Sequence, residues 1–205
     1  VKLAKNKNEL NISKLAEKNA KQALKQKLIQ SDTNNNLIEN LASRFNLNSN
    51  IELIEVYDNS HIQGSDSVGS LICFGSDGFL KKRYRKFNIK DEKVKNDDYG
   101  MMREVLFRRF SKAVKEKSGS LSLPDLVIVD GGKGQYSVSR ELLNELGLHD
   151  LPVLAVAKGK RRNAGEEKIY HKSKEFILNK NDSLLFFIQR LRDEAHRFAI
   201  STHRA

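Results

Sequence analysis

The sequence predicts an α/β domain with one mixed β-sheet, antiparallel in its first part and parallel in its second, flanked by helices. Three strand-like runs follow one another between residues 51 and 89, and Asp77-Gly78 joins the last two, as is typical of a hairpin turn. Two nearly continuous apolar runs, DLVIVD and VLAVA, then alternate with a helical stretch. Such runs are typical of parallel strands that are buried on both faces of a sheet.

A basic helical region precedes the sheet. Leucine and alanine recur every four or five residues over 11–30, which predicts a helix, and the polar run SDTNNN at 31–36 is expected to end it. A second, short helix is predicted over 37–45. Residues 1–50 are therefore interpreted as a helical lead-in, either a solvated helix packed on the main domain or a linker, and the main domain is expected to span residues 51–205.

The remaining elements follow from periodicity and from helix end signals. Antiparallel strands are predicted over 51–58, 67–75 and 79–89, parallel strands over 125–130 and 153–157, and helices over 97–117, 135–146 and 182–203. The first of these helices opens with acids and closes with lysines, as the helix dipole favours. Two short strands, KIYH and EFIL, precede the last helix. This order, β-β-β-α-β-α-β with a final helix, predicts a ribonuclease H-like fold.

Charge is the main compositional signal. The 205 residues include 37 Lys and Arg against 26 Asp and Glu, a formal net charge of +11. Basic side chains gain affinity for phosphate polymers by releasing counterions, so a nucleic acid is the expected partner, with an anionic membrane surface as the competing interpretation. No apolar run approaches the ~20 residues of a membrane helix, no signal-peptide core is present, and the single Cys73 cannot form a disulfide within the chain. A membrane-spanning role is excluded and a cytoplasmic location is expected.

Two aspartates are the strongest candidates for chemistry. Asp58 closes the first predicted strand, and Asp130 closes the first parallel strand, directly before the glycine-rich loop GGKGQ. In open α/β sheets, sites form at the carboxyl ends of strands. If the two strands are neighbours, the carboxylates face each other and favour a hard cation, Mg²⁺ or Mn²⁺, between them. The alternative is that each aspartate only caps a turn.

Three further residues are candidates for roles near this pair. His196 lies on the polar face of the last predicted helix, as a neutral metal ligand, a proton-transfer group or an ordinary surface histidine. Asp98 lies at the start of a helix, where it either supports the metal site or only matches the helix dipole. Lys133 in the glycine-rich loop is a candidate phosphate contact. That loop lacks the Walker spacing of nucleotide-hydrolysing enzymes, and a tight strand-to-helix turn is the alternative.

Basic side chains elsewhere are candidate contacts to a DNA backbone, although any one basic run is also typical of a solvated face. Besides Lys133, these candidates are Lys158, Lys160, Arg161, Arg162, Arg108 and Arg109. The third predicted strand carries a further basic stripe, KKRYRK.

Five sequence motifs combine these features: YDNSHIQG, NDDYGMMREVLFRRF, PDLVIVDGGKGQ, VAKGKRRNAG and RDEAHRFAISTHR. Together, in this order, they closely resemble the UvrC family, the incision subunits of the bacterial UvrABC nucleotide-excision repair system. The resemblance implies a ribonuclease H-like endonuclease that makes the incision on the 5′ side of a DNA lesion. It implies Asp58, Asp130 and His196 as the catalytic set. It adds Asp98 as a further functional aspartate, and it places an isoleucine, in most of the family, where this chain has Asn59.

The resemblance also implies partners and a cofactor. The expected substrate is damaged double-stranded DNA, cut with Mg²⁺ or Mn²⁺ held by Asp58, Asp130 and His196. UvrB, in a complex loaded by UvrA, is the expected protein partner. The family's 3′ nuclease, cysteine cluster, UvrB-binding segment and helix-hairpin-helix tail have no counterpart in these 205 residues, so UvrB is expected to contact other parts of a longer subunit. The alternative is a noncatalytic basic module that binds nucleic acid; a nucleotide-hydrolysing enzyme built on GGKGQ is disfavoured.

Overall fold

The computed structural model describes residues 7–48, 50–61, 67–90, 94, 97–115, 122–159 and 167–201. The helices in these residues are α1 (Lys7–Arg44), α2 (Asp98–Lys115), α3 (Lys133–Glu145) and α4 (Ser183–Ile200). The strands are β1 (Ile54–His61), β2 (Ser67–Gly75), β3 (Gly78–Phe79), β4 (Arg85–Asn88), β5 (Leu126–Asp130), β6 (Val153–Ala157), β7 (Lys168–His171) and β8 (Lys174–Ile177).

The strands form one mixed sheet. Its order is β3-β2-β1-β5-β6-β7-β8, and β4 pairs with the first part of β2. β1 pairs antiparallel with β2 and parallel with β5, and β5 pairs parallel with β6. β7 and β8 extend the sheet as antiparallel strands. The predicted fold class, an α/β ribonuclease H-like fold with an antiparallel part followed by parallel strands, is confirmed.

Helices cover both faces of the central strands. Along β5, Leu126 and Ile128 pack in a cluster with α4 and the end of α1, whereas Val127 and Val129 pack in a cluster with α2 and α3. This alternation follows from the two-residue repeat of a strand, and all four side chains are buried. Burial on both faces therefore accounts for the apolar run of β5, which lies between β1 and β6 in the middle of the sheet.

The predicted break in the first helix is wrong. Residues 31–36 continue the helix, and α1 runs unbroken from Lys7 to Arg44. The buried Asn34 donates a hydrogen bond from Nδ2 to the carbonyl oxygen of Ser76, 3.0 Å away, and one turn later Ile38 enters the core. These tertiary contacts outweigh the low helix propensity of the asparagines. The predicted domain boundary at residue 50 stays a prediction. None of the helices in the described ranges is apolar enough over a sufficient length to cross a bilayer.

The third predicted strand, 79–89, is also corrected. It divides into β3 and β4, which pair with opposite ends of β2, and a short 3-10 helix, Lys81–Arg83, separates them. The buried Tyr84 accounts for the interruption, because its hydroxyl donates to Glu194 and its ring packs edge-on against Phe198 of α4. The chain therefore leaves the sheet at Leu80 and rejoins it at Arg85.

Candidate active site

Asp58 and Asp130 lie next to each other on neighbouring strands. β1 and β5 pair in parallel through Tyr57 and Val129, and each aspartate is the next residue of its strand. The Asp58 side chain is 5% exposed, that of Asp130 is 18% exposed, and the two carboxyl groups hydrogen-bond to each other. β1 itself continues to His61, so Asp58 directly follows the last residue paired with β5 and does not, as predicted, end the strand.

The electrostatics of this pair are unfavourable for two negative charges. Burial raises the pKa of Asp58, against the hydrogen bond from His196. Burial, followed by the charge of Asp58, raises the pKa of Asp130 from 3.8 to about 6. Two negative charges side by side and out of water repel each other, so the pair retains a proton to higher pH than a free carboxyl group would. The arrangement therefore favours a positive group beside the two carboxylates.

His196 approaches the pair from α4. Its Nδ1 lies 3.0 Å from Oδ2 of Asp58, and half of its side chain is exposed. When the ring is neutral and Nδ1 donates this hydrogen bond, Nε2 carries the lone pair. Asp58 thus orients the imidazole and sets its tautomer, which makes Nε2 a suitable acceptor for a proton.

The predicted set of three metal ligands is not preformed. In the ranges that the structure describes, no group of three or more His, Cys, Asp or Glu side chains is arranged to hold a metal ion. His196 Nδ1 is already hydrogen-bonded to Asp58, which leaves Nε2 as its other ring nitrogen. The side chains that fit a hard cation directly are the Asp58 and Asp130 carboxylates, because oxygen donors are the ligands that Mg²⁺ prefers.

A cavity of about 620 Å³ opens above the two aspartates. Four of its lining residues are acids, and the others are small or polar apart from one aromatic ring. The lining consists of Asp58, Asn59, Asp97, Asp98, Tyr99, Asp130, Gly131, Gly132 and Gln135. Three separate elements, β1, β5 and the start of α2, therefore contribute carboxylates to one space.

Asp98 is held at this cavity through its backbone. Its carbonyl oxygen accepts a hydrogen bond from Asn59 Nδ2 at 3.1 Å and another from Gln135 Nε2 at 3.0 Å. These amides fasten the start of α2 to β1 and to α3. Sequence reasoning missed both roles, although the departure of Asn59 from the family pattern marked one of the positions.

The turn before α3 is tight, as the alternative interpretation of GGKGQ expected. Gly131 has a φ of +141°, and a Cβ there would collide with the side chain of Gln135. Glycine at this position therefore lets Gln135 reach Asp98. Lys133, the first residue of α3, is exposed beside the cavity, and it remains available to a phosphate.

Arg192 is a buried cation that sequence reasoning did not identify. Its Nε lies 3.8 Å from Oδ1 of Asp130, and its Nη2 lies 3.7 Å from the buried Glu167. Its charge opposes the rise in the pKa of Asp130. The sequence pattern predicts only that Arg192 lies in a helix. Its partners Asp130 and Glu167 are distant in sequence, so the pattern does not reveal these contacts.

The predicted DNA contacts divide into three groups. Lys158, exposed just after β6, lies close enough for its charge to lower the pKa values of Asp58 and Asp130, so it joins Lys133 near the site. Lys160, Arg161 and Arg162 lie outside the described residues. Arg108 donates to the Asn88 carbonyl and to Glu104 and lies over the Phe87 ring, so its guanidinium supports α2.

The prediction that Arg109 contacts DNA is wrong. Arg109 is 7% exposed and forms a double hydrogen bond with Glu55 of β1, from Nε at 3.1 Å and from Nη2 at 2.6 Å. Tyr57 donates to the other oxygen of Glu55 at 2.6 Å. Arg108 and Arg109 are adjacent in sequence, but a helix turns them by about 100° from each other, so one faces solvent and the other the core.

A mixed ribonuclease H-like sheet, with two adjoining carboxylates on β1 and β5 and a histidine supplied by the last helix, defines the class of ribonuclease H-like domains with an acidic site. Within that class, the model of the UvrC RNAse H endonuclease domain matches residues 42–200. The chain therefore belongs to this family.

Curated relatives agree with the family. The chain is 49% identical over 195 residues to the UvrABC system protein C of Cereibacter sphaeroides, and 50% identical over 195 residues to that of Hyphomonas neptunium. It spans about 31% of the length of the first relative and 32% of the second, and these matches cover 93% and 92% of the chain. A crystal structure of Ciona intestinalis Endonuclease V in complex with DNA is similar at 12% identity, with a TM-score of 0.38, over 82% of this chain and 68% of that one.

Proposed function

We propose that this chain is the endonuclease module that makes the 5′ incision at lesions in nucleotide-excision repair, by metal-assisted hydrolysis of a DNA phosphodiester. The observation that supports the proposal best is the Asp58–Asp130 pair, buried side by side with His196 bound to one of its oxygens. Family membership supports the same reading, because the matched residues 42–200 include all three side chains.

Mg²⁺ or Mn²⁺ is the cofactor that the donor chemistry favours. Burial, and after it the charge of Asp58, raises the pKa of Asp130, and a divalent cation beside the pair would offset both effects. Asp58 and Asp130 would hold the cation. When bound, such a cation supplies a Lewis acid that stabilises negative charge on a phosphate.

The protein's own residues supply the proton transfer and the orientation. His196 Nε2 accepts a proton from the attacking water, while Nδ1 stays hydrogen-bonded to Asp58. The water oxygen forms a new bond to phosphorus as one P–O bond of the DNA backbone breaks, and the departing sugar oxygen takes up a proton from solvent. Lys158 and Lys133 attract and position the phosphate through their positive charges. Arg192 interacts with Asp130, and because both side chains are largely buried, water screens this attraction only weakly.

The partners belong to a larger assembly. The curated relatives are UvrABC system proteins about three times as long as this chain. We propose that the remaining part of such a subunit binds UvrB in a complex loaded by UvrA on damaged double-stranded DNA, and that the module acts in the cytoplasm. The net charge of +11 suits a DNA partner.

The proposal is tested by incision of a lesion-bearing duplex with UvrA, UvrB, the rest of the subunit and Mg²⁺ supplied. Asp58→Asn and Asp130→Asn are each expected to reduce the 5′ incision rate by at least about a thousandfold, because each removes a carboxylate from the cation site. Asp150→Asn, an exposed acid just before β6 at the other edge of the sheet, is the matched control and should cut at the wild-type rate. Undiminished incision by Asp58→Asn would instead favour the noncatalytic DNA-binding module.

A further inference from the structure

Tyr99 is an exposed aromatic residue in a cavity otherwise lined by acids, amides and glycines. It is the second residue of α2, it is 51% exposed, and it lies in the same cavity as Asp58 and Asp130. The mechanism proposed above uses neither its ring nor its hydroxyl. Its position in the same cavity as the two carboxylates therefore calls for a separate explanation.

The outer edge of the ring, with its hydroxyl, lies against Gly134 of the neighbouring helix. A Cβ built on Gly134 of α3 would lie 2.5 Å from the Tyr99 ring, a distance that real side chains do not tolerate. Gly134 lies within the first turn of α3, where glycine is a poor helix former, and its backbone has no positive φ that requires glycine. The space that its missing side chain leaves is the space that the ring occupies.

The backbone of Tyr99 is fixed as well. Its N–H donates to Oδ1 of Asp97 at 3.0 Å, and the preceding Asp98 carbonyl is held by Asn59 and Gln135. One side of the ring thus lies against Gly134, on a helix start anchored at three points, while half of the residue's surface stays open. A flat surface that is rigid before binding loses little entropy when a partner stacks on it.

We propose that Tyr99 is a stacking platform for a nucleobase next to the phosphate cut at Asp58 and Asp130, an inference that rests on the proposed function. A repair nuclease must act on lesions in any sequence, and stacking on an aromatic ring is tolerant of sequence because every base has a π-face. Lys158 and Lys133 supply charge for the phosphate, and Tyr99 is the aromatic ring among the described residues that line the cavity. The ring thus sets the position of the strand relative to the carboxylates.

The test uses a fluorescent base, 2-aminopurine, whose emission is quenched when it stacks. DNA oligonucleotides carrying one unpaired 2-aminopurine are titrated with the chain at low ionic strength with Ca²⁺ in place of Mg²⁺, so that a divalent cation offsets the acidic cavity, and a gel checks that the oligonucleotide stays intact. Wild type is expected to quench the probe. Tyr99→Ala should lose the quench and bind about tenfold more weakly, and Tyr99→Phe should retain both properties because it keeps the ring.

Phe107 provides the matched control. It lies on the same helix, is also 51% exposed and does not line the cavity, so Phe107→Ala should quench and bind like wild type. Gly134→Ala should reduce the quench without removing any side chain, because it displaces the ring. Both predictions are checked on protein whose thermal unfolding matches wild type.

The outcomes separate this inference from the proposed function. Quenching that survives in Tyr99→Ala, or that is lost equally in Phe107→Ala, overturns the platform, whether or not the chain cuts DNA. The quench can depend on Tyr99 even if the protein fails to cut DNA with Mg²⁺ in the reconstituted incision assay. That result would support base stacking on Tyr99 and contradict the nuclease assignment.

Discussion

Asp130, a proposed ligand of the cation, has a structural cost in the cation-free protein. Its carboxyl group is buried beside Asp58, and its pKa rises from 3.8 to about 6 as a result. The folded state therefore binds a proton more tightly at Asp130 than the unfolded state does. Stability from this group is fully present below pH 3.8 and is lost as the pH rises through about 6.

Removing the charge should consequently stabilise the cation-free protein near neutral pH. Asp130→Asn in EDTA is expected to raise the free energy of unfolding by on the order of 1 kcal/mol at about pH 8, and by much less at about pH 5. Urea unfolding at the two pH values measures the difference. The exposed Asp150→Asn serves as the control, and a change for Asp130→Asn that is equal at both pH values would contradict the raised pKa.

The sequence reveals a candidate site residue when the residues next to it in the chain form a recognisable pattern. Asp58 and Asp130 stand at the ends of recognisable runs, and the parallel sheet brings them together. Arg192 and Gln135 matter through neighbours from distant parts of the chain, and no spacing along the sequence encodes those contacts. Arg109 was misassigned because adjacent charges on a helix look alike in sequence while facing opposite environments.

At the scale of elements, a buried ion pair fastens α2 to the sheet. Arg109 and Glu55 are 7% and 3% exposed at the side chain, and Tyr57 completes the hydrogen bonds of the carboxylate. Breaking such a pair leaves a charge without compensation in the core. Asp98 and Tyr99 of α2 line the cavity, so the Arg109–Glu55 ion pair helps to keep them in position.

Arg109→Ala is therefore expected to destabilise the fold by about 3 to 5 kcal/mol, since it strands the Glu55 carboxylate. Arg108→Ala, one residue away and partly exposed, should cost less than about 1 kcal/mol. Denaturant unfolding of both variants checks the difference. An Arg109→Ala protein of wild-type stability with weakened DNA binding would restore the original assignment of Arg109 as a DNA contact.

Helices and strands can be predicted from the sequence where the pattern of apolar residues is strong. They cannot where contacts with distant parts of the chain outweigh that local pattern. The apolar runs at 126–130 and 153–157 predict buried parallel strands, and both are found. The polar run 31–36 predicts a break, but Asn34 satisfies its side chain on Ser76 and the helix continues. The strand predicted over 79–89 is interrupted because Tyr84 turns inward to α4.

The chain is basic as a whole, but its candidate active site is acidic. The chain carries a net charge of +11, yet the cavity over β1 and β5 is lined by Asp58, Asp97, Asp98 and Asp130. A basic body draws in a phosphate polymer, and an acidic centre repels the phosphate unless a cation intervenes. We therefore expect Asp58 and Asp130 to hold a divalent cation, on which the proposed cleavage depends.

A crystal of the chain soaked in Mn²⁺ tests that claim most directly, because anomalous scattering locates the ion without reference to activity. We expect one peak bonded to carboxylate oxygens of both Asp58 and Asp130, and we expect it to be absent from an Asp130→Asn crystal soaked in the same way. A manganese peak elsewhere on the molecule, or one that persists unchanged in Asp130→Asn, would show that these two carboxylates do not form the cation site.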